Sequence, residues 1–281
     1  MLKNTHEQIL FESIYSSVSN TLLQYLNKDD IDIIFDKTMN NKEHVKSICL
    51  LPYWFFNCFE NRNNIEIENE LFILGKANLQ MHIAYDLYDY IRNKDFEKDH
   101  YQLYISVSNI LIKKSIKTLY QLVNNDKNKI SIIDNLFNNK DIYHIDKTIV
   151  VDIHYHFKYL TDNIYRKSMI TFIAPIIVLW LMGYKIRSNN YNETFNFFAN
   201  YLNSQQLIKD DKNLCDNVLN NVYTPATFLM RVKYSSDYIH TMLKSRIEFF
   251  TQNAIESLKK LHFFDYNKFI KLYIKDYENM I

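Results

Sequence analysis

Only two glycines, Gly75 and Gly183, occur in 281 residues, and this scarcity narrows the fold more than any motif does. Tight hairpins and the phosphate loops of doubly wound α/β folds lean on glycine for positive φ or close backbone approach. Helices can instead be joined through turns built on Asn and Asp. The clusters NNKE, NRNN, NNDKN, FNNKD and RSNNYNE offer such turns at intervals, and only three prolines (Pro52, Pro175, Pro225) interrupt what lies between. Apolar residues there recur at steps of three and four. That period predicts helices over about 6–26, 28–38, 42–60, 65–93, 98–125, 129–138, 145–163, 166–185, 190–219, 224–233, 235–262 and 265–280. Asn190 and Asn192 are the expected caps of the ninth helix, and Asp265 that of the last. No repeat and no linker is evident. Residues 1–281 are therefore expected to form one all-α domain, a single large bundle of about 10–12 helices.

Hydrophobic residues make up 47% of the chain, with 22 Tyr and 19 Phe, which suffices for a large core and excludes a disordered chain. A net charge of +1 gives no general attraction to nucleic acid. Cys49, Cys58 and Cys215 are odd in number and show no CxxC spacing, which points to a reducing, cytoplasmic setting. The polar N-terminus does not read as a secretory signal. Met169–Tyr184 is uncharged over sixteen residues. A spanning helix needs ~20, so the segment reads as a central bundle helix, with Arg166 and Lys167 at its start leaving a peripheral membrane contact as the alternative.

Two polar ridges run along otherwise apolar helices. At about 100° per residue, His82, Asp86, Asp89 and Asn93 fall within about 60° of arc, with Gly75 on the same side where another group can approach closely. Gln206, Asp210, Asn213 and Asn217 do the same in 201–218, flanked by Lys209 and Asp216. Taken alone, either ridge reads as a solvated face. Together they also suit hard divalent cations, which take oxygen ligands. Asp152, His154 and His156 in VVDIHYHFK share a face only on a strand, so on a helix they splay apart.

LGKANLQMHIAYDLYDYIRNKD resembles the first aspartate-rich helix of the class I isoprenoid synthases, approximately YDDIxDxD. NYLNSQQLIKDDKNLCDNVLNNVYTP resembles their second, approximately QLxDDxxDxxED, and IYRKSMITFIAPIIVLWLMGYK resembles the apolar helix between them. The resemblance covers about residues 40–235. It implies an isoprenoid synthase-like bundle around a central cavity. The implied ligand is an allylic prenyl diphosphate held through Mg²⁺ or Mn²⁺, with release of pyrophosphate. Asp86, Asp89 and Asp210 are the implied catalytic residues, and Asp89, Asn93, Asp210, Asn213 and Asp216 the implied metal ligands. Arg166, Lys167, Gln206 and Lys209 would meet the diphosphate, while Tyr85, Phe172 and Phe198 would line the hydrocarbon cavity.

Both motifs depart from the family pattern. Tyr90 stands where a second Asp is expected, Asn93 and Asn213 replace acids, and Lys209 replaces the first Asp of the second motif. The GGKRxRP signature of chain-elongating members is absent, Lys42, His44 and Lys46 being the nearest equivalents. Three outcomes are open: an active terpene synthase or prenyltransferase-like enzyme; the same bundle kept as a binding module or partner subunit, paired with itself or with another chain; or an unrelated helical interaction or membrane-associated protein.

Overall fold

The computed structural model describes residues 5–93, 100–138, 153–167, 172–219 and 223–274. Among these, thirteen α-helices follow one another: α1 (His6–Leu22), α2 (Lys28–Thr38), α3 (Lys42–Asn57), α4 (Glu68–Asn93), α5 (Tyr101–Leu122), α6 (Lys127–Asn138), α7 (Ile153–Asn163), α8 (Ile173–Leu181), α9 (Asn189–Lys212), α10 (Leu214–Leu219), α11 (Pro225–Arg231), α12 (Ser236–Lys259) and α13 (Tyr266–Tyr273). The all-α expectation holds. Asn does supply turns: Asn124 and Asn125 adopt φ of 53° and 55° after α5, the left-handed conformation that otherwise calls for glycine.

α4 is buried on two sides. Leu79, Ile83 and Leu87 join Ile14, Val18, Ile34, Tyr104 and Leu111 in one core, shared with α1, α2 and α5. Leu71, Leu74, Ala77 and Met81 join a larger core with α3, α8, α9 and α13. α8 is buried at every position from Ile173 to Trp180, as a helix apolar all round should be at the centre of a bundle. No described helix is long and apolar enough to cross a membrane. A third core ties α7, α10 and α11 to α12.

The α3–α4 crossing is the tightest joint. Pro52 sits inside α3 and has no N–H, so the carbonyl four residues back, on Ile48, loses its helical donor. Asn78 of α4, fully buried, donates its Nδ2 to that carbonyl at 3.2 Å. One turn earlier Gly75 lets the α3 backbone come close: a Cβ there would lie 2.7 Å from the Cys49 carbonyl oxygen and 2.6 Å from Ile14 Cδ1. The close approach read from the sequence is therefore a helix crossing.

Two local expectations are corrected. The cap of α9 is Ser188, whose side chain accepts from Tyr191 N, because its extended backbone places the hydroxyl over the first turn. Asn190 instead lies within that turn, buried, with its Nδ2 donating to His262 O (3.1 Å) and its Oδ1 accepting from His262 N (2.9 Å). The expected single helix over 190–219 breaks at Asn213, and α10 starts anew. Asn competes with helical backbone through its own side chain, and it follows the polar run Lys209–Lys212. Asp265 does cap α13, accepting from Lys268 N at 2.9 Å.

Replacing Gly75 with Ala should destabilise the fold by about 1–3 kcal/mol through overpacking. Asn78→Leu should cost a similar amount, about 1–3 kcal/mol, by orphaning the Ile48 carbonyl. Denaturant midpoints of the two variants and of their combination check both, and a less-than-additive sum is expected because the sites share one crossing.

Candidate functional site

On α4 the polar ridge deepens from its end inward. Asp89 is exposed, Asp86 half-buried and His82 buried. His82 Nε2 lies 3.5 Å from Asp86 Oδ2. The His44 ring of α3 meets His82 edge-on, with centroids 5.6 Å apart. Burial pushes the His82 imidazole down to about 4. Burial also lowers His44, helped by the neighbouring His82 and by Lys209. Asp86 moves the other way, pushed up to about 6 by burial and then by Asp89. Near neutral pH the ridge thus presents two uncharged rings beside carboxylates.

On α9 the polar residues divide. Asp210 is 2% exposed, and its Oδ1 accepts from Gln206 Nε2 at 3.1 Å. Its neighbour Lys209 is exposed and lines a cleft of ≈ 350 Å³ with Leu202, Gln205, Gln206, Ile208, Lys212 and Asn213. This cleft face is rotated by roughly 80° from the ridge centred on Gln206 and Asp210. Gln205 and Lys212 were missed in the sequence, although they stand four before and three after Lys209, the spacing that marks a shared face. Asn213 sits at the helix break and Asp216 is exposed on α10.

The link between the two ridges is electrostatic. Lys209 on α9 acts electrostatically on both His44 of α3 and Asp86 of α4, helping to hold the Asp86 carboxyl down against its burial. Asp95 and the side chains of Asn93, Arg166 and Lys167 lie outside the described residues. The backbone of the last two is a 3₁₀ turn, Ile164–Lys167, held to α9 by Asn203, which accepts from Tyr165 N (2.8 Å) and donates to the Asp162 carbonyl (3.3 Å).

Phe172 and Phe198 are brought together, with centroids 4.9 Å apart, and Tyr273 of α13 lies edge-on to both at 6.4 and 6.3 Å. Tyr85 packs against the same core, and burial pushes its phenol up. Tyr90 is turned toward α2 and donates its hydroxyl to the Lys37 carbonyl at 3.1 Å. Asp152 lies outside the described residues; His154 is exposed, while His156 Nε2 is 3.0 Å from the Tyr223 hydroxyl, so the two do not converge.

Divalent cations need clustered oxygen ligands. Among the described residues no three His, Cys, Asp or Glu side chains come together as a metal cage. Asp89 is open to solvent, Asp210 is held by Gln206, and Lys209 places an ammonium where the family pattern has a carboxylate. The described donors do not fit a carboxylate clamp.

No family model matches the sequence, and no curated protein does. Solved structures do. A geranyltranstransferase from Methanosarcina mazei superposes with a TM-score of 0.69 at 15% identity, covering 100% of this chain and 99% of that one. The chain has the isoprenoid synthase fold. A geranyltransferase from Legionella pneumophila is similar at TM-score 0.59 and 14% identity, with 98% of each chain covered. The first of these matches takes in all of α1–α13.

Acidification tests the His82–Asp86 pair. His82 has a lower pKa folded than its ordinary 6.5, so it removes stability as pH falls from 6.5 toward 4. Asp86 has a higher one than its ordinary 3.8, so it adds stability as pH falls through 6. The two oppose each other. Asp86→Asn should therefore lose melting temperature more steeply between pH 7 and 4.5 than the parent chain, as measured by circular dichroism.

Proposed function

We propose that this chain binds an allylic prenyl diphosphate, with the head group between the α4 and α9 ridges and the hydrocarbon toward Tyr85, Phe172 and Phe198. The observation that carries this reading is the electrostatic reach of Lys209 to His44 and Asp86, which supports a common position for two ridges far apart in sequence. Arg166 and Lys167 belong to a turn held on α9 and would add charge-assisted hydrogen bonds to the diphosphate. The paired rings of Phe172 and Phe198 would supply the apolar surroundings that a hydrocarbon needs. The geranyltransferase-like fold is consistent with a prenyl diphosphate ligand.

Binding without turnover is the form the geometry favours. Tyr90 is engaged with α2, Lys209 replaces an acid, and Asp210 is committed to Gln206. One observation favours the second reading, Mg²⁺-dependent ionisation of the diphosphate as in a class I terpene synthase or prenyltransferase. Asp89 raises the cost of the charge on Asp86 on one helix face, a strain that a dication would relieve.

Calorimetry with farnesyl and geranylgeranyl diphosphates, run beside a coupled pyrophosphate assay in Mg²⁺ or Mn²⁺, separates the two. Saturable binding with no pyrophosphate release is expected. Steady release establishes the second reading, and absence of any binding removes both.

A further inference from the structure

We infer that the α9 cleft is a metal-independent diphosphate subsite, in which the ammonium groups of Lys209 and Lys212 take the place of metal ions. This deepens the prenyl diphosphate reading and rests on it for the identity of the tail, though not for the anion itself. The geometry is that of a cleft with donors and, among the described residues, no acid on its walls. Lys209 and Lys212 are three residues apart on α9, so both ammoniums reach one volume, and Gln205, Gln206 and Asn213 add carboxamide N–H groups around them. Among the described residues no carboxylate lines the cleft. Asp210, the acid in this stretch nearest to a metal-ligand position, is buried and accepts from Gln206. Neither lysine makes an ion pair among the described residues.

Among the described residues a divalent cation entering this cleft would meet two like charges and no acidic ligand, whereas a diphosphate would meet two opposite charges and several donors. The cleft holds ≈ 350 Å³, enough for a diphosphate with its waters and too little for a prenyl chain in addition. Such a chain would have to leave toward the bundle interior. Lys209 and Lys212 also oppose the negative end of α9, so their removal acts on helix stability as well as on binding.

Calorimetry on the full chain with inorganic diphosphate and with farnesyl diphosphate, in EDTA and in excess Mg²⁺, tests the assignment. Binding of both in EDTA is expected, with affinity changed less than about threefold by Mg²⁺. Lys209→Met should weaken both by about tenfold or more, and a Lys259→Met variant, remote on α12, should not; melting curves establish that each variant is folded. Lys209→Asp should abolish binding in EDTA. Binding by the parent chain only in Mg²⁺, or unchanged binding by a folded Lys209→Met variant, overturns the inference and leaves the prenyl diphosphate reading standing. Metal-independent binding of inorganic diphosphate with no tighter binding of farnesyl diphosphate supports the subsite and overturns the prenyl reading. Failure of both ligands to bind overturns both.

Discussion

The bundle is organised by how closely α3 can approach α4. Helices that meet through large side chains stand 8–10 Å apart, and a glycine at the contact allows less. Gly75 opens that contact, and Asn78, a turn later, completes it by bonding the carbonyl that Pro52 leaves without a donor. A defect in one helix is thereby satisfied by a buried amide in the next. The same crossing sets the register of α3 against α4, so that His44 arrives beside His82. From there the polar ridge of α4 runs outward through Asp86 to Asp89.

Around that joint the molecule separates by chemistry. Aromatic side chains fill the space between α3, α8, α9 and α13, with Phe55, Phe197, Phe198 and Phe269 almost wholly buried. Polar groups collect on the outer part of α4 and the second half of α9, and on α4 burial makes an imidazole a poorer base and a carboxylate harder to ionise. α9 belongs to both regions. Its first half contributes Phe197 and Phe198 to the rings, and its second half turns Lys209 and Lys212 to the cleft while keeping Asp210 inside. One helix thus joins an apolar interior to a positively charged opening.

Much of this was legible in the sequence. The scarcity of glycine and the three-four periodicity pointed to an all-α chain, and α2 begins and ends where that periodicity predicts. Gly75 was legible as a close approach because little else explains a glycine inside a long helix. Its partner was not, since nothing in the residues near 75 names Cys49 or Ile14. The break at Asn213 escaped because every residue around it is tolerated in a helix. The direction of the second ridge was left open for a similar reason. On a helix with polar residues through most of its circumference, period alone does not say whether Asp210 or Lys209 faces outward, and a buried carboxylate with a side-chain donor in Gln206 looks like a solvated one. The pairing of His44 with His82 carried no local signal, because the two stand on different helices.

The aromatic interior has a bearing on how the chain assembles during synthesis. Phe55 packs edge-on to Phe269, and Phe172 and Phe198 pack against Tyr273, so rings from the first quarter of the polypeptide are covered by rings on its last described helix. Contacts so far apart in sequence form slowly, because a long loop must close before any of them repays its ordering. While the ribosome is still extending the chain, the phenylalanine faces of α3, α8 and α9 lack their final cover. The nascent bundle is therefore sticky until its last turns emerge, which makes the C-terminal helix the lid of the folding reaction and its loss more harmful to yield than its modest length suggests.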